Sequence, residues 1–62
     1  MEVILLNGKT VEIKTKEELF KHFDNCRYPA SDAANALGEG IIDNKDFLVL
    51  MRKIAKGDRN DH

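Results

Sequence analysis

DNKDFLVLMRKIAK, residues 43–56, is the stretch on which the fold turns. Phe47, Leu50, Met51 and Ile54 recur at i, i+3, i+4 and i+7, a spacing that gathers four large side chains on one side of a helix. Its ends agree. Asp43 can cap the start and Asp46 falls in the first turn, while Arg52, Lys53 and Lys56 gather where the helix dipole is negative, and Gly57 can stop the chain. The rival reading takes the unbroken apolar run from Phe47 to Met51 as a buried strand, since a run of that kind has no period of its own. The capping signals favour a helix over about 44–56.

Upstream of this helix, SDAANALG at residues 31–38 repeats the helical period through Ala30, Ala33, Ala34 and Leu37, and Gly38 supplies a stop. The spacing predicts a short helix over about 30–37 whose small side chains let another backbone come close. Pro29 pushes the residue before it out of helical geometry, so Cys26 to Pro29 reads as a connection. Ile41 and Ile42 are expected to tuck under the last helix. Before that connection, Thr15 and Glu18 form a capping box, and Leu19, Phe20 and Phe23 supply an apolar stripe, which predicts a helix over about 16–25.

At the start of the chain, Val3 to Leu6 and Lys9 to Lys14 flank Asn7-Gly8, a pair suited to the positive φ angles of a two-residue type I′ turn. Two strands, about 2–6 and 9–14, are therefore expected, with Leu6 opposite Lys9 and Ile4 opposite Val11. That register turns Ile4, Leu6, Val11 and Ile13 toward the helices and leaves Val3 and Leu5 on the outer face. The first strand also has an edge with only Glu2 to discourage pairing. The whole is an α+β domain, an N-terminal hairpin followed by three short helices, over residues 1–57, with a polar tail at 58–62 expected to fray.

Length and composition bound the function. A chain of 62 residues buries only about 60 % of the surface its unfolded form exposes, so its core must be nearly continuous. Apolar residues at 42 % and charged residues at 34 % predict a folded domain rather than a disordered one. Ten basic against eleven acidic residues disfavour nucleic acid as the partner. The single cysteine, Cys26, permits no internal disulfide and predicts a reducing, cytoplasmic setting. The longest apolar run is far below the roughly 18 residues of a membrane span, and MEVILL is unlike a signal peptide.

No set of residues points to chemistry. His22 and Cys26, four apart, can share a helix face, but two ligands do not hold a tetrahedral metal, and the other histidine is residue 62. Gly38-Glu39-Gly40 lacks the lysine and spacing of a phosphate loop. The expectation is a non-catalytic protein with no cofactor and no metal. Arg27 and Tyr28 beside Pro29 are of the types enriched at binding hot spots, and with Val3 and Leu5 they form the candidate partner-binding set. The predicted activity is that of a small intracellular protein-binding module, a regulator, inhibitor or adaptor, whose partner is another protein or a second copy meeting it through the sheet.

Two resemblances qualify this. Ala34 and Gly38 with Leu37 between them resemble the first helix and turn of helix-turn-helix DNA-binding domains, which implies a transcriptional regulator that would contact DNA through Lys53, Lys56 and Arg59. The phrases NGKTVEI, YPASDAANAL and FLVL are similar in order to phrases of the barstar family of intracellular ribonuclease inhibitors. The helix and strand that complete that family's parallel sheet are missing here. Its tyrosine-glycine-acid phrase is replaced by Tyr28, Pro29, Ala30 and Ser31, so no function is carried over.

Overall fold

Asn7-Gly8 reverses the chain, but within a three-residue loop rather than a two-residue one. A computed structural model of the chain, which describes residues 1–56, pairs Leu5 with Lys9: the Leu5 N–H donates to the Lys9 carbonyl at 2.7 Å and the Gly8 N–H to the Leu5 carbonyl at 2.9 Å. Gly8 takes φ +88°, the left-handed residue that closes a loop of this length. The Asn7 side chain accepts from the Lys9 N–H at 2.9 Å and so braces the turn. The resulting strands are β1 (Glu2–Ile4) and β2 (Thr10–Glu12), antiparallel, with Val3 opposite Val11 and Ile4 opposite Thr10.

This register is one residue away from the expected one, and the slip turns every side chain of β1 over. Val3 is fully buried and Leu5 is half-buried against the core, whereas Ile4 and Leu6 are exposed. The expected edge is also corrected. The segment Asn25 to Arg27 lies along β1: the Leu6 N–H donates to the Asn25 carbonyl at 2.7 Å, the Arg27 N–H to the Ile4 carbonyl at 2.8 Å, and Leu5 and Cys26 form an antiparallel bridge. The Ile4 carbonyl and the Leu6 N–H, which would have invited a further strand, are therefore satisfied.

Three helices follow. In α1 (Lys16–His22) the capping box forms as its residues predict, with the Glu18 N–H donating to Thr15 Oγ1 at 3.3 Å and the Thr15 N–H to Glu18 Oε1 at 3.2 Å. The Lys14 N–H donates to the same carboxylate at 2.7 Å and holds it below the usual carboxylate range. The helix tightens into a 3-10 turn over Phe23–Asn25, which ends the expected 16–25 element and carries Phe23 into the core. Pro29 opens α2 (Pro29–Gly38), its missing N–H lying where a helix has no internal partner for one.

Four alanines scattered through α2 give little periodic contrast, and the inward face differs from the expected one. Asp32, Ala33 and Ala36 are buried, while Ala30 and Ala34 are exposed. A turn through Gly40, at φ +81°, leads to Ile42, which is buried as expected, and to α3 (Asn44–Ala55). Asp43 caps α3 by accepting from the Asp46 N–H at 2.8 Å, a bond that lowers its carboxyl below the ordinary range. The stretch 47–51 is helical, not strand. Leu50 is fully buried, with Phe47, Met51 and Ile54 partly buried on the same side, and α3 packs chiefly on α2. Lys16 Nζ reaches Asp46 Oδ2 at 3.7 Å and ties the start of α1 to that of α3. Among the described residues no helix is long and apolar enough to cross a membrane.

Candidate functional site

The hairpin offers the first candidate surface. Alternation along β1 and the bridge to Cys26 place Glu2, Ile4 and Leu6, Thr10 and Glu12, and Asn25 and Arg27 on the face turned away from the core. Ile4, at the end of β1, is 42 % exposed and Leu6, at the start of the loop, 56 %, while Val3 and Leu5, expected to hold this place, lie on the other side. Arg27 is exposed beside Ile4, and Tyr28, next in the chain, is also exposed. Of the expected partner-binding set the fold thus leaves Arg27 and Tyr28 accessible and removes Val3 and Leu5. The signal that could have found Ile4 and Leu6 was the glycine of Asn7-Gly8, which fits the third place of a three-residue loop as well as the second place of a two-residue one.

The second cluster surrounds the thiol. Cys26 is fully buried, and its S–H donates to the His22 backbone carbonyl at 3.2 Å, so the two residues meet through the main chain and not as a nucleophile with its base. Burial pushes the thiol up to about 12, and the Asp32 carboxyl beside the sulfur adds to the shift. A thiol held protonated and out of reach of solvent is a poor nucleophile. Asp32 is itself only 8 % exposed, and its Oδ2 atom has no hydrogen-bond partner among the described residues. Loss of solvent raises its carboxyl above the ordinary range, against a smaller lowering by the thiol. Among the described residues no three of His, Cys, Asp and Glu are grouped to hold a metal ion.

The third surface is the outer side of α3. At about 100° per residue, Lys45, Leu48, Val49, Arg52, Lys53 and Lys56 fall opposite the stripe that packs on the core, and all six are exposed. Lys53 Nζ stands 3.9 Å from Asp24 Oδ1 and 5.8 Å from the centre of the Phe23 ring. Lys53 and Lys56, expected to serve the DNA-binding alternative, therefore share one face; Arg59 lies outside the described residues. The connection from α2 to α3 spans residues 39–43, and Asp43 and Asp46 stand at the first turn of α3. Compared with family models of protein sequences, with curated proteins and with solved structures, the chain has no match.

Proposed function

We propose that this protein works by binding another protein, as a small cytoplasmic regulator, inhibitor or adaptor, and not by catalysing a reaction. The observation that carries this reading is the outer face of the hairpin, where Ile4 and Leu6 are exposed side by side with Arg27 beside them. Single exposed aliphatic side chains are common on any protein. Ile4 sits on β1, braced by β2 on one side and by Arg27 on the other, and Leu6 opens the loop that follows, its N–H held by the Asn25 carbonyl, so a partner meets both on backbone that is already tied down. Arg27 and Tyr28 add the side-chain types that dominate binding energy when they are covered. Because the Ile4 carbonyl and the Leu6 N–H are already paired with Arg27 and Asn25, the contact at these residues is through side chains, whether the partner is a different protein or a second copy.

The DNA-binding alternative draws less support. A recognition helix presents its first residues to the major groove, and α3 begins with Asp43 and Asp46, which repel phosphate.

Pull-down from the native host's lysate with the wild type and with an Ile4→Lys/Leu6→Lys variant tests the proposal, with light scattering at several concentrations for a second copy. A bound protein, or a dimer, that the variant loses is the expected result. Unchanged capture by the variant, with a wild type monomeric throughout, refutes the assignment of this face. A gel shift on random duplex DNA whose affinity falls steeply with salt would favour the helix-turn-helix reading instead.

A further inference from the structure

We propose that the outward side of α3 is a docking site for an acidic, aliphatic peptide segment of a partner protein. This deepens the protein-binding reading and rests on it, but uses a different surface from the hairpin. Leu48 is 57 % and Val49 47 % exposed, and they occupy the middle of the face. Lys45 lies one turn before them, and Arg52, Lys53 and Lys56 lie one to two turns after. A shallow groove of about 240 Å³ runs along Val49, Arg52, Lys53 and Lys56. Small-molecule sites are commonly about 300–1,000 Å³ and more enclosed, so a groove of this size takes a side chain rather than a metabolite.

Charge complementarity selects the occupant. Four of the ten basic residues of the chain stand on this one helix face; Lys53 has Asp24 Oδ1 at 3.9 Å and Asp46, at the edge of the face, is turned to Lys16, which leaves Lys45, Arg52 and Lys56 to carry the positive charge. The remaining six are outnumbered by eleven acidic residues, so the positive field is local to α3. A ligand with carboxylates alone would leave Leu48 and Val49 uncovered, and a purely apolar one would strip water from the cations without pairing them. A segment that alternates aliphatic side chains with carboxylates satisfies both.

Two other polyanions fit less well. Single-stranded nucleic acid gains from stacking its bases on aromatic rings, and this face presents aliphatic side chains between its cations. Helices that lie in a lipid surface bury a broad apolar side, and the broad apolar side of α3, Phe47, Leu50, Met51 and Ile54, packs on the core.

The probe is a fluorescent peptide of about twelve residues rich in glutamate and leucine, titrated by anisotropy at low and at physiological salt, with amide shifts of the labelled protein locating the contact. Binding with a Kd at or below about 1 mM, the weak end of specific affinity, is expected, with shifts centred on Leu48, Val49 and Arg52. Replacing the glutamates by glutamine, or the leucines by serine, should weaken it about tenfold or more, as should Leu48→Ser/Val49→Ser and Arg52→Glu/Lys56→Glu, each removing part of an exposed contact. All these positions are exposed, so Leu48→Ser/Val49→Ser should melt near the wild type; Arg52→Glu/Lys56→Glu, which reverses charge at the negative end of the helix dipole, should melt several degrees lower yet remain folded, and the peptide controls need no variant at all. Absence of binding overturns the inference, as does equal binding by the glutamine peptide or by the Leu48→Ser/Val49→Ser variant. Tighter binding of duplex DNA, or of phosphatidylserine vesicles, at the same residues also overturns it and names the other occupant. The Ile4→Lys/Leu6→Lys variant should bind the peptide as the wild type does. Loss there would place the peptide on the hairpin, overturning this assignment while leaving the protein-binding reading intact.

Discussion

Exchanging Val3 and Ile4 one at a time for threonine tests the register of the hairpin directly. Threonine keeps the β-branch, so strand preference changes little and burial decides the outcome. In Val3→Thr the shape is nearly conserved, but a hydroxyl replaces a methyl at a position with 0 % exposure. An imperfectly paired buried hydroxyl costs about 1–3 kcal/mol. Ile4→Thr instead removes two carbons from a side chain that is 42 % exposed, and at about 0.8 kcal/mol per fully buried methylene the loss is about 1 kcal/mol. At roughly 0.05–0.15 kcal/mol per residue the whole domain has about 3–9 kcal/mol to lose, so neither change need abolish folding. For a domain of this size 1 kcal/mol moves the melting temperature by about 4–8 °C. Val3→Thr should therefore lower Tm by about 8–16 °C for a 2 kcal/mol loss, and Ile4→Thr by about half as much. Circular dichroism melts and urea titrations measure both. A larger loss for Ile4→Thr than for Val3→Thr would refute the three-residue loop and restore the pairing of Leu6 with Lys9.

Two further outcomes can be checked by the same measurements. Leu50→Ala should cost about 2–5 kcal/mol, as buried leucines do, while Leu48→Ala should stay within about 0.5 kcal/mol as an exposed position; equal losses would misplace the inward face of α3. Asp32 has its carboxyl raised by burial, so the native state binds a proton more readily there than the unfolded chain does. Stability of the wild type relative to Asp32→Asn should thus be greatest below the ordinary carboxylate value of 3.8 and fall as pH climbs through the raised one. Glu18 and Asp43, lowered by backbone N–H donors, act in the opposite sense in both proteins and cancel from the comparison. A difference that is flat or grows with pH would mean that Asp32 is solvated.

The features legible in the chain were those decided within a few residues. Thr15 and Glu18 are three apart, so their reciprocal bonds form whatever surrounds them. Asp43 likewise caps α3, and the four-residue stripe from Phe47 to Ile54 selects which side goes inward. The same wheel puts Leu48 and Val49 on the opposite side, among Lys45, Arg52 and Lys56, and the fold leaves them exposed there. What local chemistry left open was which face of β1 is buried. Val3, Ile4, Leu5 and Leu6 are all aliphatic, so either register presents apolar side chains to the helices, and Asn7-Gly8 accepts loops of two lengths. The decision came from about twenty residues away, where the chain leaving α1 lays Asn25 to Arg27 along β1 and pairs Cys26 with Leu5. Asp32 was undecided for a similar reason: α2 has small side chains on every side, and only its packing on α3 and the thiol selects the face that loses water. Hydrogen bonds between near neighbours in sequence are determined by the sequence itself, whereas a side chain's exclusion from water depends on which distant segment comes to lie over it.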